Sequence, residues 1–261
     1  LLLCTQSPDY FLPSTACLVQ HRLGLPTACG AFDFNLGCSG FVYGLSLAKA
    51  LIETGQARNV LLLTAETYSK FIHPGDKSVR TLFGDAAAAA LISAKESDVD
   101  LRGPFVFGTD GSGANNLIVP TGGTRRAFNP VAPVVADTAG NNRTENNLFM
   151  NGPEIFNFTL RVVPPMVNDL LSRAGLDAGA VDHYVFHQAN RFMMEHLRKK
   201  LAVPAEKFPI LMAHCGNTVS STIPIALCEM KKQGQLASGQ KLALVGFGVG
   251  YSWAGGMAQW V

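Results

Sequence analysis

The hydrophobic and polar positions of the first hundred residues follow two periodicities in turn. Apolar residues spaced by three and four predict helices over residues 14–23 and 38–53. Apolar runs predict strands over 31–36, 59–65 and 86–93, the last two with so few polar interruptions that we expect them to be buried on both faces. Buried strands alternating with helices are typical of α/β proteins with a parallel sheet.

The same order of elements recurs after residue 150. Apolar periodicity predicts helices over 152–174, 190–201 and 217–233, and strands over 181–186, 241–247 and 252–261. Gly, Pro and Asn supply 18 of the 45 residues from 103 to 147, a composition typical of long loops with one or two short strands. We therefore predict an N-terminal half (1–102), a loop-rich insertion (103–149) and a C-terminal half (150–261). The first half lacks an initial strand and helix that the second half has.

Composition narrows the possible functions. The chain has 261 residues, of which 48% are hydrophobic and 15% charged, and a formal net charge of +2, as in ordinary globular proteins. Its longest apolar runs are too short to span a bilayer, and so small a charge provides no field for nucleic acid or anionic lipid. The six cysteines lack zinc-site spacings and are too sparse for a disulfide scaffold, which favours reduced thiols in a cytoplasm.

The strongest candidate for chemistry is Cys38. In the segment AFDFNLGCSGFVYG an apolar strand turns through Gly37 into a predicted helix that begins at this cysteine. The positive end of the helix dipole and the unpaired backbone N–H groups there favour a thiolate, so Cys38 is a candidate nucleophile. The alternative is a small buried apolar residue, which is how Cys4, Cys17, Cys29 and Cys228 are interpreted.

A thiolate used in acyl transfer needs polar groups that stabilise charge on a carbonyl oxygen. His187, in VFHQANRFM, follows a predicted strand at the edge where α/β sheets carry functional groups. Asn217, in HCGNTVSS, directly follows Gly216 at the start of a predicted helix. Taken singly, each has a simpler explanation: a structural histidine and a helix cap.

A third segment, VGFGVGYSW at 245–253, is rich in glycine. A dinucleotide-binding loop would need a following helix and strand, and only 11 residues remain after Gly250. The alternatives are a plain hairpin turn or a turn that directs the N–H of Val249 at an oxyanion, and we prefer the oxyanion role.

These motifs occur in an order that resembles a known family. Cys38 in its turn, HQAN at 187–190, GNT at 216–218 and GFGVG at 246–250 are similar to β-ketoacyl-acyl carrier protein synthase III of the thiolase superfamily, with LPSTAC at 12–17 and FGDAAAAALIS at 83–93 also fitting. The resemblance covers essentially the whole chain. It implies an α/β, thiolase-like fold of five layers (α-β-α-β-α) built from two duplicated halves, with the N-terminal half incomplete because a segment is missing at its start.

The resemblance also implies roles for individual residues. Cys38 would be the nucleophile, His187 and Asn217 would donate hydrogen bonds, and the amides of Cys38 and Val249 would form the oxyanion hole. The substrates would be an acyl-coenzyme A and malonyl-acyl carrier protein, joined by decarboxylative Claisen condensation to a 3-oxoacyl product, with no metal or other cofactor. Implied substrate-binding residues are Leu12, Lys77, Met150, Gly152, Asn190 and Phe247. Implied carrier-protein docking residues are Arg191, Arg198, Lys199 and Lys200, and a homodimer is expected.

Two differences from the family and two rival functions remain open. Lys77 stands where some members have an arginine near the coenzyme, and Leu12 stands where some have a bulky aromatic that limits the acyl pocket across the dimer. One rival is an acyltransferase to a hydroxyl or amine acceptor that causes no decarboxylation, and Asn217 disfavours it. Thiolases use a second catalytic cysteine, a position that Cys215 does not occupy, so Asn217 also favours decarboxylative over non-decarboxylative condensation. The other rival is a non-catalytic partner subunit, which usually lacks the cysteine or histidine.

Overall fold

The computed structural model describes residues 1–261. The helices are α1 (Thr15–Arg22), α2 (Gly40–Glu53), α3 (Lys77–Arg80), α4 (Gly152–Ala174), α5 (Arg191–Lys200) and α6 (Thr222–Lys232). The strands are β1 (Leu2–Cys4), β2 (Phe32–Phe34), β3 (Asn59–Glu66), β4 (Ala86–Ser93), β5 (Arg102–Thr109), β6 (Leu117–Ile118), β7 (Val135–Ala136), β8 (Asn142–Arg143), β9 (Phe149–Met150), β10 (His183–Phe186), β11 (Lys241–Gly248) and β12 (Ser252–Gln259). None of the helices combines the length and the apolarity needed to cross a membrane.

Two four-stranded sheets form the framework. The first has the order β2-β1-β3-β4, with β1 parallel to both β2 and β3 and β4 antiparallel to β3. The second has the order β10-β11-β12-β5, with β10 parallel to β11 and the other pairs antiparallel. Each sheet therefore has a parallel part and an antiparallel edge, and the two sheets contain one half of the chain each, except for β5.

Alternation along the strands distributes the core into layers. In β11, Leu242 and Leu244 pack with α2 and α6, whereas Ala243, Val245 and Phe247 pack with α4 and α5 on the other side. In the first sheet β3 does the same between α2 and α1. Because successive side chains of a strand point to opposite faces, β11 and β3 each pack against helices on both sides of their sheet. The resulting order of layers is α1, first sheet, α2 with α6, second sheet, and α4 with α5.

The predicted burial of β4 on both faces is wrong. Its residues alternate between half-buried and exposed, and Leu91 is 68% exposed. The strand lies at the edge of its sheet and only one of its faces meets the helices of the central layer, so its apolar composition reflects small alanines rather than two-sided burial. Composition alone could not separate these cases.

Other differences concern where elements begin. Residues 103–109 belong to β5, which pairs with β12, so the predicted boundary at residue 103 falls inside a strand of the second sheet. The strand predicted over 31–36 has only three residues, and the helix predicted from residue 217 begins at Thr222. In contrast, α4 matches its prediction residue for residue, because Asn151 caps its start and Gly175, with φ of 63°, ends it.

Candidate active site

Cys38 lies in the turn between β2 and α2, two residues before the helix begins. The N–H of Gly40 donates to the carbonyl of Gly37, which closes the turn. Ser39 extends its hydroxyl to that of Ser252 in the second half, 2.6 Å away in a buried pair. The cysteine is thus held between the two sheets by contacts from both halves.

Three glycines let the backbone of β11 and the Cys38 turn approach closely. A Cβ at Gly246 would lie 2.6 Å from the carbonyl oxygen of Cys38, and one at Gly248 would lie 2.7 Å from its Sγ. A Cβ at Gly37 would lie 2.6 Å from Val249 Cγ1. Gly246 and Gly248 of the GFGVG segment therefore allow the close approach of β11 to the cysteine.

His187 follows β10 directly and is 2% exposed. Its N–H donates to the carbonyl of Val245 at 2.7 Å, which continues the ladder with β11 by one residue. Its ring atom Nδ1 lies 2.7 Å from the hydroxyl Oγ1 of Thr222. Burial lowers the pKa of His187 to about 3, so the ring is neutral at physiological pH.

Asn217 lies in an extended segment that bridges to Phe83, five residues before α6 rather than at its start. Its N–H donates to the carbonyl of Leu82, and its carbonyl accepts the N–H of Gly84. Its side-chain Oδ1 accepts the N–H of Val219 at 2.9 Å, so the amide nitrogen is the end left for a ligand. The cap proposed as the simpler explanation of Asn217 is therefore absent.

The three side chains line one cavity of about 60 Å³. Cys38, His187 and Asn217 reach it from segments that are far apart in the chain. Its other walls are mostly apolar and come from Leu82, Phe83, Leu117, Met150, Gly152, Ile155, Ala189, Asn190, Met193, Phe247 and Gly248. A thiol, an imidazole and a carboxamide in an apolar enclosure form an arrangement suited to acyl transfer.

The predicted thiolate-favouring surroundings of Cys38 are not what the structure has. The residue is 5% exposed, and burial together with the nearby carboxyl of Glu66 raises its pKa to about 12. The N–H groups of Val249 and of Cys38 itself oppose this shift. Burial wins because the α2 dipole is a partial charge, whereas removal of solvent acts on the full charge of a thiolate. The same two N–H groups are the pair expected to form the oxyanion hole.

Comparison with known proteins identifies the family. Residues 32–111 match the family described as 3-oxoacyl-[acyl-carrier-protein (ACP)] synthase III, and residues 171–260 match its C-terminal domain. The beta-ketoacyl-[acyl-carrier-protein] synthase III of Caldanaerobacter subterraneus is 38% identical over 260 residues, which cover 100% of this chain and 76% of that protein. This chain belongs to the β-ketoacyl-acyl carrier protein synthase III family.

Solved structures of 3-oxoacyl-(acyl-carrier-protein) synthases share the fold. A 3-oxoacyl-(acyl-carrier-protein) synthase III superposes with a TM-score of 0.98 at 57% identity, over 99% of this chain and 77% of that one. The 3-oxoacyl-(acyl-carrier protein) synthase of Burkholderia xenovorans superposes with a TM-score of 0.87 at 43% identity, over 99% of this chain and 72% of that one. The predicted thiolase-like α/β fold is thereby confirmed.

The substrate-binding residues expected from the family fall into two groups. Met150, Gly152, Asn190 and Phe247 line the cavity. Lys77 begins the short helix α3 and is exposed, outside the cavity lining. Leu12 is 83% exposed on the loop before α1 and does not reach the cavity of its own chain. The structure thus brings four of the six to the site.

Sequence reasoning missed several residues that shape the site. Glu66 is a buried carboxyl at the end of β3 that receives hydrogen bonds from the Gln6 backbone and from the hydroxyls of Ser7 and Ser220. A lone acid at the end of an otherwise apolar strand was the available signal. Thr222 beside His187 carried no signal, because nothing in the sequence connects residues 35 positions apart.

Proposed function

We propose that this member of the synthase III family joins an acyl group from acyl-coenzyme A to malonyl-acyl carrier protein, with Cys38 as the nucleophile. In the first half-reaction Cys38 Sγ forms a bond to the acyl carbon and the bond to the sulfur of coenzyme A breaks. The thiol proton leaves with coenzyme A as its thiol. The amides of Cys38 and Val249 stabilise the tetrahedral oxyanion.

In the second half-reaction malonyl-acyl carrier protein loses carbon dioxide. His187 and Asn217 donate hydrogen bonds to its thioester oxygen and stabilise the enolate that forms. The carbanion attacks the acyl carbon, the Cys38 sulfur leaves and takes up one proton, and a 3-oxoacyl-acyl carrier protein is released. These groups supply all the charge stabilisation that the steps require, so the cycle needs neither a metal nor a redox cofactor. The observation that carries this proposal is the single cavity shared by Cys38, His187 and Asn217.

Intact-mass measurement tests the proposal. Incubation with acyl-coenzyme A should add one acyl mass to the protein, and Cys38→Ala should gain none. Addition of malonyl-acyl carrier protein should then release carbon dioxide and remove the acyl mass. Absence of acylation would favour the non-catalytic partner subunit, and acylation without decarboxylation would favour an acyltransferase to a hydroxyl or amine.

We further propose that α5 contributes to carrier-protein docking. Arg191 and Lys199 are exposed at the helix that begins beside the cavity residue Asn190. The other two expected residues are already engaged, because Arg198 pairs with Glu195 at 2.8 Å and Lys200 donates to the Leu160 carbonyl. Arg191 and Lys199 are therefore the cations available to an acidic carrier protein.

Charge reversal at these two positions tests the docking proposal. The double variant Arg191→Glu/Lys199→Glu should raise KM for malonyl-acyl carrier protein about tenfold, since like charges disfavour association, and this effect should shrink at high salt. Lys241→Glu is the matched control, because it begins β11, about 23 Å along that strand from Gly248. Equal changes in the control and the double variant would contradict the proposal.

A homodimer and a cytoplasmic location complete the proposal. Edge strand β2 exposes Phe32, and the loop before α1 exposes Tyr10, Phe11 and Leu12, an apolar surface that supports association of two copies. All six cysteines are unpaired, which supports a reducing compartment in which a thiol nucleophile persists. Sedimentation equilibrium should give twice the chain mass, and a monomer at micromolar concentration would contradict the dimer.

A further inference from the structure

The turn Val219–Ser221 and the first residue of α6 contact both polar side chains of the active site. The N–H of Val219 donates to Oδ1 of Asn217 at 2.9 Å, and Oγ1 of Thr222 lies 2.7 Å from Nδ1 of His187. Two residues of this short stretch, Val219 and Thr222, thus touch the inner side of the carboxamide and of the imidazole, respectively. The function proposed above requires both groups to present N–H donors at their outer ends.

The backbone of this turn is strained. Val219 has φ of 56°, a left-handed conformation that is a genuine outlier for a β-branched residue, and it is fully buried. Such strain persists only where the surroundings impose it, and it clusters at functional sites. Here it accompanies the Val219 N–H bond to Asn217, and the chain then enters α6 with Thr222 beside the imidazole.

The hydroxyl hydrogen of Thr222 has two possible acceptors. One is His187 Nδ1 at 2.7 Å, and the other is the Val219 carbonyl oxygen at 3.0 Å. That carbonyl already accepts the backbone N–H of Thr222. The imidazole is neutral and enclosed, so Nδ1 has a lone pair that only this hydroxyl can satisfy if the ring proton is on Nε2. The shorter contact favours donation to Nδ1.

We propose that Thr222 is a positioning residue that donates its hydroxyl hydrogen to Nδ1 of His187 and so holds the imidazole as the Nε2–H tautomer. The inference rests on the proposed function, in which His187 donates a hydrogen bond to the malonyl thioester. The Val219 N–H orients the Asn217 carboxamide in the same way. Val219 and Thr222 thus direct an N–H group of Asn217 and one of His187 into the cavity. The competing arrangement, in which Nδ1–H donates to Thr222 and the hydroxyl donates to Val219, would present a lone pair to the cavity.

Nitrogen NMR of the protein labelled with 15N-histidine distinguishes the two arrangements. The His187 signals, identified by their loss in His187→Gln, should show a protonated Nε2 and an unprotonated Nδ1. Thr222→Ser should keep this pattern, and Thr222→Val should shift the population towards Nδ1–H. A protonated Nδ1 in the unmodified protein would overturn the proposal, as would an unchanged tautomer in a folded Thr222→Val. If Thr222→Val fails to fold, the spectra of the unmodified protein and of Thr222→Ser still distinguish the two arrangements.

Kinetics provide a second readout. Loss of one positioning hydrogen bond should lower kcat with malonyl-acyl carrier protein about tenfold in Thr222→Val. Thr222→Ser should restore it to within about twofold, while acylation of Cys38 by acyl-coenzyme A should change little in either variant. Thr54→Val is the matched control, because its hydroxyl donates to the Ala50 carbonyl at the exposed end of α2. Failure of Cys38 acylation in the unmodified protein would refute the proposed function and leave the tautomer result standing.

Discussion

Gly248 lies directly against Cys38, and its lack of a side chain leaves room for the cysteine in the active site. A Cβ there would lie 2.7 Å from Cys38 Sγ and 2.9 Å from Cys38 Cβ, so the cysteine side chain would have to move. Gly248→Ala should therefore displace the nucleophile and slow acylation by about a hundredfold, the usual effect of a shift near 1 Å at a reacting atom. Intact-mass measurements on acylation reactions quenched at successive times check this expectation.

Gly111→Ala is the control for that substitution, because nothing lies within 4 Å of the position where its Cβ would be. Normal acylation in Gly248→Ala would mean that β11 can move away from Cys38, and the close approach would then have no role in catalysis.

At the scale of single residues, the identity of the three active-site residues could be predicted from the sequence, but their surroundings could not. Cys38, His187 and Asn217 stand in short motifs whose neighbours indicated their function, and the structure brings all three to one cavity. The raised pKa of Cys38 could not be predicted, because it depends on burial beneath β11 and on the carboxyl of Glu66, both distant in sequence. The local sequence predicts that Cys38 lies at a helix start, where the helix dipole lowers its pKa, but it does not predict the burial that raises this pKa.

At the scale of elements, Asn190 both lines the cavity and caps α5. Its Oδ1 accepts the N–H of Met193 at 2.8 Å, which satisfies one of the free N–H groups at the helix start. Asn190→Ala should lower the free energy of unfolding by about 1 kcal/mol, while Asn190→Ser, which preserves a cap, should change it by only a few tenths. Urea denaturation at neutral pH measures both.

Enzyme kinetics separate the cap from substrate binding in the same two variants. If the amide of Asn190 also binds substrate, both variants should raise KM for acyl-coenzyme A, since neither retains the amide. An unchanged KM in Asn190→Ser would assign this residue to the cap alone and would remove it from the proposed binding residues.

Helices were more predictable than strands because their signals are local. The start of α4 is marked by Asn151 and its end by Gly175, so its limits could be predicted from the sequence. The start of α6 was predicted five residues early, because the left-handed conformation that precedes the helix falls on Val219 and no glycine at that position marks it. The pairing of β5 with β12 joins segments that are far apart in the chain, which periodicity does not report.

At the scale of the whole molecule, buried polar contacts join the two halves around the active site. The hydroxyls of Thr64 and Ser221 lie 2.8 Å apart, and Ser220 donates to Oε1 of Glu66 at 2.9 Å. Glu66 also accepts the N–H of Gln6 at 3.0 Å. The order of two similar halves was visible in the sequence, but their attachment was not, because these contacts span more than 150 residues.

Glu66 makes the stability of the folded chain depend on pH. The carboxyl is 2% exposed, and burial raises its pKa from 4.5 to about 7 despite three hydrogen-bond donors. The folded protein therefore holds this proton more tightly than the unfolded chain, so the stabilisation is complete below pH 4.5 and is lost as pH rises through 7. A shift of this size corresponds to about 3 kcal/mol at most.

Replacement of Glu66 by Gln should abolish that dependence, because the amide does not titrate. Between pH 5 and pH 8 the free energy of unfolding of Glu66→Gln should improve relative to the unmodified protein by about 2 kcal/mol. Urea denaturation at both pH values measures the difference, and Glu53→Gln, at an exposed position on α2, is the control that should show no such change. A constant difference between Glu66→Gln and the unmodified protein across this range would mean that Glu66 is ionised throughout and that its three donors outweigh its burial.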